Sequence, residues 1–413
     1  MKRAEQIRNG SGGLGLWMTV AATAIATLLI VAAKPAQAQT FTILHSFAGP
    51  DGEFPYAGVT MDQAGNLYGT TFEGGNTGGE CGSDGCGTVF ELKPEGSGWI
   101  LNPLYSFSGP DGANPGARVI IGPDGSLYGT TTDGGAANYG TVFRLRPPAA
   151  VCKTALCPWT QTVLYSFQGG LDGEYPEYGD LVFDQQGNIY GTTPYGGVFN
   201  CFEASCGLVF ELTPSNGGWT ESVLYSFQGE NDGGIPFAGL IFDTAGNLYG
   251  TTALGGADDE GVVYKLTPSG SGWTESVIHS FPYDASPYGG LIFDRIGNLY
   301  GVTNASTGDE TVVYELTPAG GGWTFNQLYS FSVGSYAKLT MDPAGNLYGT
   351  LFAGDVEVFR LTLSNGQWTQ TGFNGAVGDF LYGSVILDAS GNVYTTASTG
   401  GYYNKGVVFE ITP

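Results

Sequence analysis

The stretch Gly239-Leu-Ile-Phe-Asp-Thr-Ala-Gly-Asn-Leu-Tyr-Gly-Thr-Thr252 occurs, with variations, seven times along the chain. Each copy contains a Gly-Asn-Leu-Tyr-like core, and these cores end at Tyr68, Tyr128, Tyr190, Tyr249, Tyr300, Tyr348 and Tyr394. An aspartate precedes the tyrosine by six residues in six copies and by four in the second: Asp62, Asp124, Asp184, Asp243, Asp294, Asp342 and Asp388. Self-similarity of this kind predicts one repeat architecture rather than several unrelated domains.

Two further motifs alternate with these cores. A Leu-Tyr-Ser-Phe element ends at Phe47, Phe107, Phe167, Phe227, Phe281 and Phe331, with a degenerate copy near 369–373. A Val-Phe-Glu-Leu element begins at Val89, Val142, Val209, Val263, Val313, Val358 and Val408. Each unit of about 50 residues therefore holds four short strands joined by turns, which is typical of a propeller blade. The sequence predicts an all-β fold, a seven-bladed β-propeller of four-stranded antiparallel blades.

The two ends of the chain predict how the ring closes. The strand that ends at Phe47 is a fourth strand without a blade of its own, and the chain ends after a third strand, at 411–413. We expect the N-terminal strand to complete the seventh blade, because closure removes open sheet edges. In five blades a tryptophan stands eight residues before the phenylalanine, and the same count from Phe47 reaches Gln39. The predicted propeller domain is therefore 39–413.

The N-terminus is typical of an export signal. Lys2, Arg3 and Arg8 precede an uncharged apolar run from residue 14 to 33, and Ala36-Gln37-Ala38 forms a small-x-small cleavage pattern. We predict a signal peptide over 1–38. The apolar run is long enough to span a bilayer, so an uncleaved anchor is the alternative.

Charge and composition exclude several classes of function. The 413 residues include 70 Gly, 24 Tyr and 24 Phe, and residues 1–38 hold four basic and one acidic side chain. The rest of the chain therefore has 10 basic and 37 acidic side chains. This balance disfavours nucleic acids and anionic membranes, whose binding requires Lys and Arg. We expect a secreted, periplasmic or cell-surface monomer that does not insert into the membrane after signal cleavage.

Six cysteines form three pairs with identical spacing, four residues separating the partners in each. The pairs are Cys81/Cys86, Cys152/Cys157 and Cys201/Cys206. We predict three local disulfides that fix the shape of loops, since such short loops add little to global stability. Zinc binding is the alternative, but the pairs lie in different repeats and no histidine is near them.

Catalysis by a histidine-activated nucleophile is disfavoured. The only histidines, His45 and His279, occupy a position that tyrosine fills in four other blades, and Ser-His or Cys-His chemistry needs a general base. The recurring aspartates are interpreted as turn residues, because Asp-x-x-Gly-Asn suits a tight hairpin. We nominate no catalytic residue and no firm metal ligand.

The candidate binding surface is the face where loops vary in length. Loops after the second strand and after the fourth strand emerge on the same face of a propeller, and variation on one face is typical of binding. The loops of blades one and three are the longest and contain cysteine pairs. Aromatic side chains there, including those at 54–56, could stack on sugars. The candidates are Asp51, Asp111, Asp172, Asp232, Phe199, Phe202, Asp258, Asp259, Glu260, Tyr402 and Tyr403. Calcium at the acidic loop 258–260 is possible, with no other cofactor expected.

The recurring Gly-Asn-Leu-Tyr-Gly-Thr-Thr…Gly-Gly…Gly-Thr-Val-Phe-Glu-Leu-x-Pro pattern, with Leu-Tyr-Ser-Phe, resembles the bacterial "choice-of-anchor tandem repeat GloVer-containing" family across 40–413. The resemblance implies an exported repeat protein, often with a sorting tail after the repeats, whereas this sequence stops at Pro413. It implies no activity and no catalytic residue. The turns also resemble those of NHL-type propellers, a likeness of fold alone.

The sequence thus predicts an exported binding or scaffold module, with a glycan or a protein as ligand. A glycan-cleaving enzyme with two carboxylates is one alternative, because acidic residues and tyrosines are plentiful. A purely structural envelope or matrix protein is the other. A pocket with two carboxylates would favour the enzyme, an aromatic-lined site would favour glycan binding, and a flat acidic face would favour the structural role.

Overall fold

The computed structural model describes residues 39–148, 159–201, 204–270, 272–282, 285–304, 310–352, 358–373, 375 and 378–413. Thr40–Thr412 form one compact unit. Seven four-stranded antiparallel sheets build it, which confirms the predicted seven-bladed β-propeller. The predicted signal peptide and the pair Cys152/Cys157 lie outside the described residues.

The strands follow the predicted order of four per blade. Those from the N-terminus through blade three are β1 (Thr40–Ser46), β2 (Thr60–Met61), β3 (Leu67–Thr71), β4 (Thr88–Glu95), β5 (Gly98–Ser106), β6 (Ile120–Ile121), β7 (Leu127–Thr131), β8 (Thr141–Arg146), β9 (Thr160–Ser166), β10 (Val182–Phe183), β11 (Ile189–Thr193), β12 (Phe199–Cys201), β13 (Ala204–Ser205), β14 (Leu208–Ser215) and β15 (Gly218–Ser226). Those of blades four to seven are β16 (Ile241–Phe242), β17 (Leu248–Thr252), β18 (Val262–Ser269), β19 (Gly272–Ser280), β20 (Ile292–Phe293), β21 (Leu299–Asn304), β22 (Thr311–Ala319), β23 (Gly322–Phe331), β24 (Thr340–Met341), β25 (Leu347–Thr350), β26 (Val358–Ser364), β27 (Gln367–Phe373), β28 (Ile386–Leu387), β29 (Val393–Ala397) and β30 (Val407–Thr412). The pair β12–β13 is a separate hairpin within a loop of blade three, and two 3-10 turns span Gly79–Cys81 and Gly170–Asp172.

The N-terminal strand closes the ring as predicted. The seventh sheet has the order β1-β30-β29-β28, so β1 is the outer strand of the last blade. Its register runs from Thr40 opposite Thr412 to Ser46 opposite Val407, with a bulge between Ile43 and His45. Joining the two ends of the chain in one sheet leaves no blade incomplete.

The first strand of each blade is its inner strand and has only two paired residues, as Ile241–Phe242 in blade four. The hairpins that follow these strands are fixed by the recurring aspartate. Asp62 Oδ1 accepts hydrogen bonds from the backbone amides of Ala64 (2.8 Å) and Asn66 (2.9 Å), and Asp62 Oδ2 accepts from Asn66 Nδ2 (2.8 Å). The same contacts recur in blades three to seven, which agrees with the interpretation of these aspartates as turn residues.

Aromatic contacts join neighbouring blades. The phenylalanine that ends the fourth strand is fully buried in six blades. Phe107, for example, meets the third-strand Phe143 of the next blade edge to face at 5.1 Å. The tryptophan of one blade packs on the core tyrosine of the blade before it, as Trp159 packs on Tyr68. Such contacts between large apolar rings stabilise the ring as a whole.

The glycine of Leu-Tyr-Gly-Thr-Thr is required by this packing. A Cβ atom on Gly69 would lie 2.5 Å from Phe90 Cζ, a distance that real side chains do not show. The third-strand aromatic ring therefore packs directly on the backbone of the second strand, because the glycine has no side chain to separate them.

Candidate functional site

A cavity of about 440 Å³ lies where the segments that lead into the inner strands converge. Each segment contributes residues that precede its two-residue inner strand, such as Phe237, Ala238 and Gly239 before Ile241. Tyr195 and Phe352, which follow second strands, complete the wall. Both sets of loops that the sequence placed on the variable face thus contribute to one concave site.

Aromatic rings surround the mouth of the cavity on most of its circumference. Six blades have an aromatic residue three residues before a buried valine or leucine that the inner segments share, and blade two has Gly116 there. These buried residues are Val59, Val119, Leu181, Leu240, Leu291, Leu339 and Val385. The ring centroids of successive aromatics are 5.2 to 6.3 Å apart in the order Tyr178, Phe237, Tyr288, Tyr336, Tyr382 and Tyr56. The six residues form a horseshoe that opens at Gly116, and we call it the aromatic horseshoe.

Threonine hydroxyl groups hold the segments in place. Thr70 Oγ1 of blade one donates to the carbonyl of Ala117 in blade two (3.0 Å), and equivalent bonds occur at four other blade junctions. The hydroxyl of Thr130, the equivalent residue of blade two, is buried without a partner. The segment that would receive its bond, in blade three, contains one additional residue between Pro176 and Leu181. The insertion therefore disturbs the regular arrangement at one junction.

Charged side chains form the floor beneath the aromatic horseshoe. Arg118 Nε donates a 3.0 Å hydrogen bond to Asp180 Oδ2, and Arg118 Nη2 forms a second contact with the same oxygen. Burial acts to raise the pKa of Asp180, but the Arg118 charge and its hydrogen bonds hold it below the usual value. Lys338 lies beside this pair, and its backbone amide donates to Ser384 Oγ (3.1 Å).

The floor separates two cavities. Arg118, Lys338 and Ser384 line the mouth cavity and also a second cavity of about 290 Å³, whose other walls are inner-strand residues such as Phe293 and Met341. These three side chains therefore stand at a constriction of the central channel. A ligand that enters through the aromatic horseshoe meets polar groups at the narrow end, an arrangement common in small-molecule sites.

Glu177 brings a second carboxyl group to the cavity wall. It is the residue that the insertion in blade three adds, and it lies beside the opening at Gly116. Burial, and then the charge of Asp133, raise the pKa of Glu177 to about 7. Two carboxyl groups of one blade, Glu177 and Asp180, thus have pKa values shifted in opposite directions.

The four predicted loop aspartates are not brought together. Each one binds the backbone of its own loop and the side chain at the histidine-or-tyrosine position of the preceding fourth strand. Asp51 lies 2.8 Å from His45 Nε2 and from the Ala48 amide nitrogen, and Asp232 accepts from Tyr225 (2.8 Å). Asp111 and Asp172 do the same with their tyrosines. Burial acts to raise the pKa of Asp51, yet the hydrogen bond from His45 leaves this pKa below its usual value.

The remaining predicted residues lie apart from one another. Asp259 Oδ1 accepts from the Gly255 amide (2.8 Å), and Glu260 is buried and accepts from Ser286 (2.8 Å), whereas Asp258 is exposed. Tyr402 is 86% exposed and packs edge to face on Tyr403. Phe199 begins strand β12, and Phe202 lies outside the described residues. Among the predicted residues that the structure describes, none lines the mouth cavity; Tyr56, from the aromatic loop 54–56, does.

Sequence reasoning missed the floor of the cavity, although a signal was present. The residue just before the shared buried valine or leucine of each inner segment is small in four blades and charged in three: Gly58, Arg118, Asp180, Gly239, Gly290, Lys338 and Ser384. Charge at a position where the repeat otherwise has glycine or serine, in a chain with few cations, marks these blades as different. The repeat pattern is defined by what its copies share, so a residue that departs from it in one blade does not enter the prediction.

The cysteine pairs are confirmed where they are described. Disulfides join Cys81 to Cys86 and Cys201 to Cys206, with Cα–Cα distances of 4.9 and 5.2 Å. In the described part of the chain no group of three or more His, Cys, Asp or Glu side chains is arranged to hold a metal ion. No helix there is long and apolar enough to span a membrane.

Two overlapping parts of the chain, 29–201 and 153–357, match the family model described as Gloeobacter/Verrucomicrobia repeat. No curated protein matches the sequence significantly. Among solved structures, an oligogalacturonate lyase in complex with manganese is similar, with 13% identity, a TM-score of 0.56 and coverage of 90% of this chain and 92% of the lyase.

A chain of the mitotic checkpoint complex has 12% identity and a TM-score of 0.54, covering 100% and 99% of the two chains. A gluconolactonase from Xanthomonas campestris has 14% identity and a TM-score of 0.42, covering 90% and 89%. At these identities the likeness is one of fold.

Proposed function

The chain belongs to the Gloeobacter/Verrucomicrobia repeat family, whose name specifies no activity, and we propose from the geometry that it is a glycan-binding propeller. The aromatic horseshoe around a cavity of about 440 Å³ carries this proposal. The apolar faces of sugar rings stack on tyrosine and phenylalanine, and the tyrosine hydroxyls supply hydrogen bonds to sugar hydroxyls. The volume is in the range of small-molecule sites, about 300–1,000 Å³.

The shape favours the end of a glycan chain over its middle. The cavity narrows from the aromatic horseshoe to the constriction at Arg118, Lys338 and Ser384. A terminal sugar fits such a funnel, whereas an internal segment would need a groove open at both ends. A protein ligand would have to insert a side chain or a terminus into the same funnel, and this is the alternative that a negative glycan screen would favour.

The experiment is a glycan-array screen of residues 39–413, which contain the whole compact unit, followed by calorimetric titration of the hits. We expect Tyr288→Ala to weaken binding at least about tenfold, because it removes one stacking surface at the back of the horseshoe. Tyr402→Ala is the matched control, since Tyr402 is an exposed tyrosine that does not line the cavity.

The control also discriminates between two locations of the site. Loss of binding in Tyr402→Ala with retention in Tyr288→Ala would place the ligand on the outer loops that the sequence nominated. An array without hits would contradict glycan binding altogether. Repeating the screen with calcium and with chelator tests the calcium hypothesis at 258–260.

Glycan cleavage is the second candidate function, because Glu177 and Asp180 have pKa values shifted apart at one cavity wall. Carboxyl groups tuned in opposite directions serve as acid and base in many enzymes. Glu177, whose pKa is about 7, would be the proton donor to the leaving oxygen. Incubation of array hits with the protein, followed by analysis of reducing ends, tests this. Products made by the native protein and not by Glu177→Gln would support cleavage, and intact glycans would contradict it.

We further propose that the protein acts outside the cytoplasm as a monomer. Disulfides persist in oxidising compartments, and the described part of the chain contains two. N-terminal sequencing of the exported protein tests cleavage after Ala38, and light scattering tests the oligomeric state. An N-terminus that still includes the apolar run would favour the anchor.

A further inference from the structure

Lys338 is a cation that lines both cavities at the constriction of the channel. Its side chain is partly buried, and the packing of its stem is visible at Gly290 of the neighbouring blade, where a Cβ atom would lie 3.4 Å from Lys338 Cδ. In the described part of the chain no carboxylate oxygen forms an ion pair with Lys338 Nζ, and no group accepts a hydrogen bond from it. An ammonium group that is partly desolvated and has no acceptor from the described residues is available to bind an anionic ligand in the cavity.

The other charges at the floor do not supply this acceptor. Asp180 forms its ion pair with Arg118, so these two charges compensate each other and leave the Lys338 charge in excess. Burial lowers the pKa of Lys338, and the Asp180 charge only opposes this shift from a distance. Glu177 is influenced by burial and by Asp133. The floor is therefore positively polarised in a chain whose residues after 38 carry 37 acidic side chains.

We propose that the ligand of the aromatic horseshoe is an acidic sugar, whose anionic group binds Lys338 at the constriction. The anion, a carboxylate or a sulfate, would accept the hydrogen bonds that Lys338 Nζ lacks, and its sugar ring would lie against the horseshoe above. Hydrogen bonds to charged groups are the strong ones in a site of low dielectric constant. This inference depends on the proposed glycan binding and adds the chemical class of the sugar.

The expected difference in affinity follows from the bond between Lys338 and the anionic group. A charge-assisted bond in a buried site changes affinity by about tenfold or more. We therefore expect an acidic trisaccharide to bind at least about tenfold more tightly than a neutral one of the same length. Ser384, whose Oγ accepts from the Lys338 amide, lies at the same constriction and can hydrogen-bond the same group.

The test is calorimetric titration of residues 39–413 with cellotriose, trigalacturonate and a sulfated trisaccharide. Lys338→Met keeps the apolar stem and removes the charge, so we expect the ratio of acidic to neutral affinity to fall to about one. Lys338→Arg keeps a positive charge and should therefore retain part of the preference for acidic sugars that Lys338→Met loses. A merely structural role of Lys338 would not explain this difference. Lys405→Met is the control, because Lys405 pairs with Glu53 outside the cavity.

The outcomes separate this inference from the proposed function. Preference for trigalacturonate or for the sulfated trisaccharide, lost in Lys338→Met, supports the inference and identifies the anion. Equal binding of all three sugars, or a preference unchanged in Lys338→Met, overturns the inference while Tyr288→Ala still tests the horseshoe. Binding of none of the three sugars overturns the inference, and the glycan array then decides separately whether the proposed glycan binding also fails. Thermal unfolding of each variant ensures that a lost preference is not a lost fold.

Discussion

Arg118 Nε and Asp180 Oδ2 are 3.0 Å apart and join blade two to blade three inside the channel. The two residues are 62 positions apart in the chain, and each replaces a small residue of the repeat. Asp180 also accepts a 3.3 Å bond from the Arg118 amide, so the carboxylate is held by backbone and side chain together. The pair therefore fixes the junction beside the opening of the horseshoe.

Removing one member of this pair should destabilise the protein more than removing both charges. Arg118→Gln leaves the Asp180 carboxylate without its cation, and we expect it to cost about 2–3 kcal/mol in free energy of unfolding, less than for a fully buried pair because both side chains are slightly exposed. The double variant Arg118→Gln/Asp180→Asn restores a neutral hydrogen-bonded pair and should lose less than the single one. Urea unfolding measures both, and additive losses would contradict the coupling.

Gly58 lies where the backbones of blades one and seven approach closely. A Cβ atom at this position would lie 2.1 Å from the backbone oxygen of Ser384. Gly58→Ala should therefore lower the free energy of unfolding by about 2–3 kcal/mol, since backbone cannot move aside at a closed ring. Gly98→Ala is the control, because nothing lies within 4 Å of its Cβ position. Equal stability of the two variants would show that the ring closure tolerates side chains.

The disulfides should be local and contribute modestly to stability. Peptide mapping without reduction should recover Cys81 linked to Cys86 and Cys201 linked to Cys206, and we expect Cys152 linked to Cys157. The double variant Cys81→Ser/Cys86→Ser should lose about 2 kcal/mol at most and keep its fold, because the closed loop is short. Free thiols or links between blades would contradict this prediction.

Binding of an acidic sugar should weaken as Glu177 ionises. Burial and Asp133 raise the pKa of Glu177 to about 7, and Tyr178 and Tyr195 interact with the same group. Below this pH the carboxyl is neutral, and above it a negative charge stands on the wall of the cavity. We expect the affinity for an acidic trisaccharide to fall about threefold to tenfold from pH 6 to pH 8. Glu177→Gln should flatten this dependence, and an unchanged slope would assign it to another group.

The blades could be predicted from the sequence because the residues that specify each blade lie close together along the chain. Strand motifs, turn aspartates and the unpaired first strand all follow from patterns within about 50 residues. The cavity could not, because its walls come from all seven blades: Tyr56 meets Tyr382 at 5.5 Å only after the ring has closed. The sequence predicts Asp51 as a binding residue because its loop lies on the face where loops vary in length. In the structure its carboxylate accepts a hydrogen bond from the Ala48 amide of the same loop.

Two partly buried glutamates on the outer strands, Glu221 and Glu275, provide a last prediction. Gln161 Nε2 donates to the carbonyl of Asp111 in the adjoining loop (3.0 Å). Glu221 and Glu275 follow Trp-Thr as Gln161 does, each with a buried oxygen that has no hydrogen-bond partner. Burial, then Asp172 and Asp232 respectively, raise the pKa of Glu221 and of Glu275 to about 7.

The sign of the pH dependence follows from these shifts. A carboxyl group whose pKa is higher in the folded state is destabilising once ionised, so stability should fall as pH rises from about 4.5 to about 7. Glu221→Gln/Glu275→Gln supplies the donor that Gln161 has, and should stabilise the protein at pH 8 by about 1 kcal/mol per site, a figure reduced for partial exposure. At pH 5 the protonated glutamates can donate the same bonds, so the gain should nearly vanish. Thermal unfolding at both pH values measures this, with the exposed Glu95→Gln as control; a variant no more stable than the native protein at pH 8 would mean that the ionised carboxylates already have solvent as their partner.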